Sequence, residues 1–208
     1  RGNVQLEHFL LIGGGAGFSR TYQPADADFV VSNRTGLLSA LATATAGDVI
    51  YVRDDAVIDM APSREVAIPG GVTLASGRGV NGSEGGVIAY SLVTNDYPRL
   101  FNVTAADVRF AGLRFRGPLP STNHAPNFAY LVYAWGPGLV AENCEIWGWN
   151  YSAFYYVKEN AYGGIVRNCH IHHCQNQGLG YGVMMDACDT LIEGNIFDYC
   201  RHAIAGVG

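Results

Sequence analysis

Lysine is nearly missing from this sequence: among 208 residues Lys158 is the only one, and charged residues of both signs make up 15%. The formal net charge is minus 5. A nucleic-acid groove needs a stripe of basic residues that neutralises phosphates. The composition therefore predicts that nucleic acid is not a partner.

Long apolar runs are missing too. No stretch approaches the roughly 18 uninterrupted apolar residues of a membrane-spanning helix, so the sequence predicts no membrane span. Glycine and tyrosine are abundant instead, with 27 and 12 residues. They suit tight turns and aromatic strands better than helices.

An eight-residue unit occurs four times, at 108–115, 139–146, 164–171 and 190–197. Positions one and three of the unit should face inward. The alternation then shifts by one residue, so positions six and eight should also face inward. Such period-2 spacing excludes a helical repeat, and recurrence every 20 to 50 residues or so is typical of a solenoid. The expected inward residues are Val108, Phe110, Leu113, Phe115, Leu139, Ala141, Cys144, Ile146, Gly164, Val166, Cys169, Ile171, Thr190, Ile192, Asn195 and Phe197.

The pattern, with an Asn-Cys or Gly-Asn turn between two short strands, resembles the right-handed parallel β-helices of the pectate lyase-like superfamily. The resemblance covers residues 36–208 and implies an all-β solenoid domain. Residues 1–35 are then an N-terminal extension or edge segment. Residues 36–47 carry Leu37, Leu38 and Leu41 on one helical face, and the resemblance implies that this short helix caps the N-terminal end of the solenoid.

A third strand should precede the repeat unit in each coil, at 131–133, 154–156, 183–185 and 203–205. Alternation along a strand predicts one column of inward and one of outward side chains. The inward column is predicted as Leu131, Phe154, Val183 and Ile204, and the outward column as Val132, Tyr155, Met184 and Ala205.

In lyases of this superfamily the substrate lies across the outer face of that third strand. The resemblance therefore implies a catalytic site made of Tyr155, Lys158, Asp186, Arg201 and His202. A lyase needs a base that removes the proton next to a uronate carboxylate, and a cation that stabilises the enolate. All but Asp186 are candidate bases, while Asp186 is a candidate calcium ligand or orienting group. The alternative is that each is an ordinary surface residue.

The segment 169–174, Cys-His-Ile-His-His-Cys, suggests zinc on composition alone. Alternation along a strand points Cys169 and Cys174 inward and His170 and His172 outward, so four ligands do not converge. His172 stands 26 residues before Asp198, which places the two side by side on adjacent coils. A surface metal site at His172 and Asp198, or at two histidines, is the remaining metal hypothesis.

The same offsets stack Cys144 beside Cys169 and Cys174 beside Cys200 inside the coil. Buried cysteine acts as a small apolar residue, yet a strand spacing of about 4.8 Å also permits a disulfide. Both alternatives stay open for each pair. Cys188 has no partner in either case.

Four Asn-X-Ser/Thr sequons, at Asn33, Asn81, Asn102 and Asn150, favour a secreted or cell-surface protein. The resemblance then implies a polysaccharide lyase that acts on acidic, uronate-containing polymers. A non-catalytic structural or adhesive surface protein is the alternative. A glycoside hydrolase needs close carboxylates on one face, and the register scatters Asp186, Asp189 and Asp198.

Two further segments bear on partners. The loop at 117–127 has three prolines and no periodicity. It either forms the wall of a binding cleft or is an ordinary surface loop. The last strand contributes the apolar residues Ala203, Ile204 and Val207, with no capping helix after them. We expect further coils or a neighbouring subunit to cover that edge, as in self-association.

Overall fold

The computed structural model describes residues 12–94, 96–118, 128–158 and 160–207. The predicted loop at 117–127 lies almost entirely outside the described residues. The described chain is mostly strand, with one α-helix, α1 (Arg34–Thr43). The strands are β1 (Phe29–Val31), β2 (Val49–Val52), β3 (Val57–Asp59), β4 (Thr73–Ala75), β5 (Val87–Ala89), β6 (Arg99–Val103), β7 (Arg109–Ala111), β8 (Arg114–Arg116), β9 (Tyr130–Ala134), β10 (Val140–Glu142), β11 (Glu145–Trp147), β12 (Ser152–Val157), β13 (Gly164–Arg167), β14 (His170–His172), β15 (Tyr181–Asp186), β16 (Thr190–Glu193), β17 (Ile196–Asp198) and β18 (His202–Val207).

The strands form three parallel sheets. Sheet A has the order β1-β2-β4-β7-β10-β13-β16, sheet B β17-β14-β11-β8-β5-β3, and sheet C β18-β15-β12-β9-β6. From β4 onward the chain visits A, B and C in the same order in every circuit. The prediction of a mostly β chain with parallel strands is confirmed, and the arrangement fits a parallel β-solenoid.

The register predicted from the eight-residue repeat is confirmed. Ile171 lies between Ile146 and Phe197 in sheet B, and Val166 lies between Ala141 and Ile192 in sheet A. The predicted inward residues of the first three copies are buried. Those of the fourth copy are only partly buried because they belong to the last circuit.

A left-handed turn separates the two strands of each repeat and explains the slip of one residue. Gly112, Asn143, Asn168 and Gly194 occupy this position with φ of 62°, 54°, 50° and 62°. Glycine and asparagine adopt such angles more readily than other residues. The Asn-Cys and Gly-Asn pairs of the sequence therefore mark a real turn.

The register predicted for the third strand is wrong by one residue in β9. Val132, not Leu131, aligns with Phe154, and Tyr133 aligns with Tyr155. Leu131 and Val132 are both fully buried, so this strand does not alternate simply. The outward column of sheet C therefore consists of Asn102, Tyr133, Tyr155, Met184 and Ala205.

The helix α1 begins at Arg34 and ends at Thr43, so it lies earlier than the predicted span 36–47. Asn33 explains the start, because its side-chain oxygen accepts a hydrogen bond from the Gly36 N–H at 2.9 Å. Leu37 and Leu41 are buried, and the helix lies against β1 and β2 at one end of sheet A. None of the helices in the described ranges is long and apolar enough to cross a membrane.

The segment at residues 12–20 lies across the left-handed turns of successive circuits. Gly13 N–H donates to the Gly194 carbonyl at 2.8 Å, and Gly15 N–H donates to the Asn143 side chain at 2.7 Å. Arg78 donates to the Gly13 carbonyl at 3.0 Å. These bonds join residues far apart in sequence.

The cysteines lie as the repeat predicts. Cys144, Cys169 and Cys174 are buried, and all five cysteines are free thiols. Cys144 N–H points at the Cys169 sulfur at 3.4 Å, which shows that the pair is stacked. Burial raises the pKa of the Cys169 thiol well above its ordinary value, which keeps it neutral.

The sequons are not equally accessible. Asn150 is fully buried, and its side-chain oxygen accepts a hydrogen bond from Ala129 N–H at 2.8 Å. Asn102 is half-buried, whereas Asn33 and Asn81 are exposed. A glycan on Asn150 is incompatible with this packing, so at most three sequons fit the folded chain.

Candidate functional site

Aromatic side chains cover the outer surface of sheet C and the segments that lead into its strands. Each of these rings contacts another ring of the set, so the set is continuous across several circuits. We call this surface the aromatic face, and its members are Tyr97, Phe128, Tyr130, Tyr133, Trp135, Tyr151, Tyr155, Tyr181 and His202.

Parallel register creates the aromatic face. Tyr133 of β9 and Tyr155 of β12 are direct partners, with ring centroids 5.1 Å apart and planes nearly perpendicular. Tyr130 stacks on Tyr151 at 4.0 Å. Offset-stacked and edge-to-face pairs are the favoured arrangements of aromatic rings. Residues on neighbouring strands therefore hold one another's rings in place.

Most of these rings remain open to solvent. Tyr133, Trp135, Tyr151 and Tyr155 are each half-buried, whereas Tyr130 beneath them is buried. A continuous apolar surface that solvent reaches is a general indicator of an interaction site. The aromatic face is the strongest candidate of this kind among the described residues.

Two cations lie on the aromatic face. The guanidinium of Arg99 stands over the Tyr133 ring at 3.7 Å from its centroid. The Lys158 ammonium lies 5.7 Å from the centroid of Trp135. Cations over aromatic rings are attracted by the ring quadrupole. Lys158 is exposed, whereas Arg99 also lies 3.9 Å from the Glu65 carboxylate.

Three of the predicted catalytic residues lie near one end of the aromatic face. Tyr155 is in its outward column, Asp186 aligns with Val157 at the end of β12, and Lys158 follows directly. Burial, and then the negative charge of Asp186, raises the pKa of Tyr155 to about 12. Its phenol is therefore protonated at neutral pH and can donate a hydrogen bond.

Arg201 and His202 lie at the other end of the same sheet. His202 begins β18 and stacks on Tyr181 at 5.5 Å. Asp186 aligns with Val207, five residues further along β18, which corresponds to about 16 Å at 3.3 Å per residue. The strand geometry therefore separates the five predicted residues into two groups, and they do not form one catalytic centre.

The predicted metal pair lies on sheet B. His172 and Asp198 are aligned on β14 and β17, as predicted. The His172 side chain nevertheless contacts other groups: its Nε2 is 3.3 Å from Glu145 Oε1, and its Nδ1 is 2.8 Å from His173 Nδ1. Asp198 is exposed and belongs to no metal-capable group of the described residues.

Several residues of the aromatic face were missed at the level of sequence. Tyr130 and Tyr133 lie on β9, Trp135 directly follows it and Tyr151 directly precedes β12. The available signal was the alternation of Tyr133 and Trp135, together with the high tyrosine count. Arg99 gave no signal, because its position over Tyr133 depends on pairing between β6 and β9.

Comparison of the chain with protein-family models, with curated proteins and with solved structures finds no match. The resemblance to pectate lyase-like proteins therefore remains a hypothesis based on the coil pattern. Evidence for function comes from the aromatic face and from the polar groups beside it.

Proposed function

We propose that this chain is a secreted or cell-surface domain that binds an acidic polysaccharide along the aromatic face. Its fold is proposed to be a right-handed parallel β-helix of the pectate lyase-like kind, capped at its N-terminal end by α1. The repeated visits to three sheets support the coil architecture, and the position of α1 beside the edge strands β1 and β2 supports capping.

The continuous row of accessible rings on sheet C carries the proposal. Sugar rings present flat C–H faces that pack on aromatic side chains, while their hydroxyl groups remain hydrated at the edges. The row crosses several circuits of the chain, and neighbouring strands lie about 4.8 Å apart. A surface of this length suits a polymer better than a single sugar.

The cations on the aromatic face favour an acidic polymer. Arg99 and Lys158 both stand over its rings. Guanidinium and ammonium groups pair with carboxylates through charge-assisted hydrogen bonds. A uronate polymer has both groups that this surface can bind. Its sugar rings present C–H faces to the aromatic rings, and its carboxylates pair with the cations.

Lyase activity is the catalytic form of this proposal. Lys158 would take the proton next to the uronate carboxylate, the glycosidic C–O bond would break, and Tyr155 would give its proton to the leaving oxygen. The raised pKa of Tyr155 keeps its phenol protonated, which disfavours a base role, and the donor role rests on the position of Tyr155 beside Lys158 and Asp186. Asp186 would orient these groups.

Calcium fits this site poorly. Calcium takes about six to eight oxygen ligands, whereas Asp186 is the only carboxylate among the five predicted catalytic residues. The lyase proposal therefore assigns no step to calcium.

The alternative is a non-catalytic adhesive or structural surface protein. The separation of Arg201 and His202 from Tyr155 and Asp186 favours it, because only three predicted groups remain close together. Both forms share the polysaccharide-binding face.

Binding is tested by titrating the protein with polygalacturonate, alginate and a neutral glucan while following tryptophan fluorescence. We expect saturable binding of an acidic polymer that Trp135→Ala weakens about 10-fold, the loss of roughly 1.4 kcal/mol. Tyr162→Ala, at an exposed tyrosine in the loop after β12, is the matched control and should bind normally. Absence of binding to every polymer would overturn the proposal.

Catalysis is tested in the same samples by the ultraviolet absorbance of an unsaturated product. A lyase should form product that Lys158→Ala abolishes while binding persists. Binding of acidic polymer without product from any of them would favour the adhesive or structural alternative.

A further inference from the structure

A second polar cluster lies on the outer surface of sheet B, away from the aromatic face. Glu145 of β11 aligns with His170 of β14, and Trp147 aligns with His172. Glu145, His170 and His172 each offer one donor atom, and these three atoms lie within 4.8 Å of one another. Parallel pairing of two successive circuits therefore brings together two imidazoles and a carboxylate.

We propose that Glu145, His170 and His172 bind one divalent transition-metal ion, for which zinc is the best fit. Two histidines and one carboxylate form a donor set that zinc uses, with bonds of about 2.0 to 2.2 Å. Donors that share such an ion lie about 3.3 Å apart, which is the distance between Glu145 Oε1 and His172 Nε2. Rotation of the His170 ring completes the set.

The groups behind the ligands suit this role. His172 Nδ1 lies 2.8 Å from His173 Nδ1, so with Nε2 on the metal, Nδ1 keeps its hydrogen and donates it to His173. The Trp147 ring is parallel to that of His172, at 5.7 Å between centroids and 2° between planes. Each contact fixes the orientation of the His172 imidazole.

Glu145 is held in a comparable way. Arg114 Nε donates to its other oxygen, Oε2, at 2.6 Å, which leaves Oε1 directed at His172. Arg114 also pairs with Glu84 at 2.8 Å, so the positive charge beside the site is shared between two carboxylates. Hydrogen bonds of this kind position carboxylate ligands of metal ions.

The site is reachable from solvent. The side chains of His172 and Glu145 are 14% and 22% exposed. A cleft of about 350 Å³ borders Glu145 and is also lined by Arg78, Glu84 and Arg114. Three protein ligands leave at least one coordination position open to water.

This site differs from the one expected at His172 and Asp198. Asp198 comes from β17, and Glu145 from the opposite neighbour of β14. The two alternatives predict different ligands, so substitution distinguishes them. A metal ion at the proposed site would also tie β11 to β14 and stabilise the folded chain by mass action.

The test uses the full chain, freed of metal by a chelator and titrated with Zn²⁺ against a chromophoric competitor. We expect one ion per chain. His170→Gln and His172→Gln should each weaken zinc binding by more than about 100-fold, and His173→Ala, which removes only a supporting contact, by about 10-fold. Asp198→Asn, and His202→Ala on sheet C, should bind zinc normally.

Co²⁺ provides an independent readout. Nitrogen and oxygen ligands give weak visible bands, and we expect these bands to be lost in His172→Gln. A sulfur-to-cobalt absorption band would instead place the ion on cysteines and overturn the proposal, as would zinc affinity unchanged in both His170→Gln and His172→Gln. Thermal unfolding without metal checks that the variants are folded, and zinc should raise the melting temperature of the original chain but not theirs.

Discussion

Glu142 is the only charged residue that is fully buried in the described ranges. Its carboxylate accepts hydrogen bonds from Arg109 at 2.6 Å and from Arg167 at 2.7 Å, and Arg20 lies 3.4 Å away. The three arginines come from β7, β13 and the segment before β1. One carboxylate therefore joins two neighbours of β10 in sheet A to the N-terminal segment.

Glu142→Ala should lower the free energy of unfolding by about 1.5 to 3 kcal/mol, because it removes charge-assisted hydrogen bonds from arginines that are themselves partly exposed. Urea denaturation measures this loss. Glu193→Ala, at an exposed carboxylate on β16, is the control and should change stability by less than about 0.5 kcal/mol. Equal stability of the two variants would show that the buried cluster contributes nothing.

The phenol of Tyr155 should lose its proton at a higher pH than an ordinary tyrosine does. Its folded pKa of about 12 exceeds the ordinary value of 10.0, so its contribution to stability is complete below pH 10 and is lost as the pH rises through 12. The difference in tyrosinate absorbance between the original chain and Tyr155→Phe isolates this one group. A midpoint near 10 in that difference would show that burial and Asp186 do not raise the pKa of Tyr155.

At the scale of the structural element, the left-handed turns decide how strands of sheets A and B meet. Asn143 is the most constrained of them. Its side chain accepts from Gly15 N–H and donates to the Arg78 carbonyl at 2.8 Å, and the residue is almost fully buried. This turn therefore has a conformational role and a hydrogen-bonding role.

The two roles are separable by substitution. Asn143→Gly keeps the left-handed angle and loses the side-chain bonds, whereas Asn143→Ala loses both. We expect Asn143→Ala to be less stable than Asn143→Gly by about 1 kcal/mol, the steric cost of a left-handed alanine. Thermal unfolding of both variants provides the comparison, and equal melting temperatures would mean that the angle costs nothing here.

At the scale of the whole molecule, the two ends of the series of stacked circuits differ in how well they are covered. Ile204 aligns with Val183, which is fully buried, yet Ile204 is 46% exposed. In the described residues no further strand stacks beyond it in sheet C. The interior column therefore meets solvent at this end, whereas α1 lies against the opposite end.

We expect the 208-residue chain, expressed alone, to associate through this end, because an open parallel edge and an exposed apolar column both favour pairing. Light scattering should give a mass that rises above 22.3 kDa with concentration. Ile204→Lys should reduce the association, and Tyr162→Lys, on an exposed loop, should not. A mass of 22.3 kDa at every concentration would refute the expectation.

The repeat could be predicted from sequence because its determinants are local. Alternation and the turn residues Asn143, Asn168 and Gly194 lie within one circuit. The offsets of 25 and 26 residues between the last three copies relate only adjacent circuits. The same signals placed His170 and His172 outward. In β9 the alternation was insufficient to predict the register, since the consecutive apolar residues Leu131 and Val132 are both buried.

By itself, the sequence determined the parallel β architecture, the inward columns of sheets A and B and the stacking of Cys144 on Cys169. Only the tertiary structure decided which outward groups meet. Whether Arg99 stands over Tyr133, whether His172 faces Glu145 or Asp198, and how far His202 lies from Asp186 all depend on register between circuits and on side-chain rotation. Composition and spacing carry no information on side-chain torsion angles. An outward side chain can contact either neighbouring strand, and only packing in the folded chain determines which one.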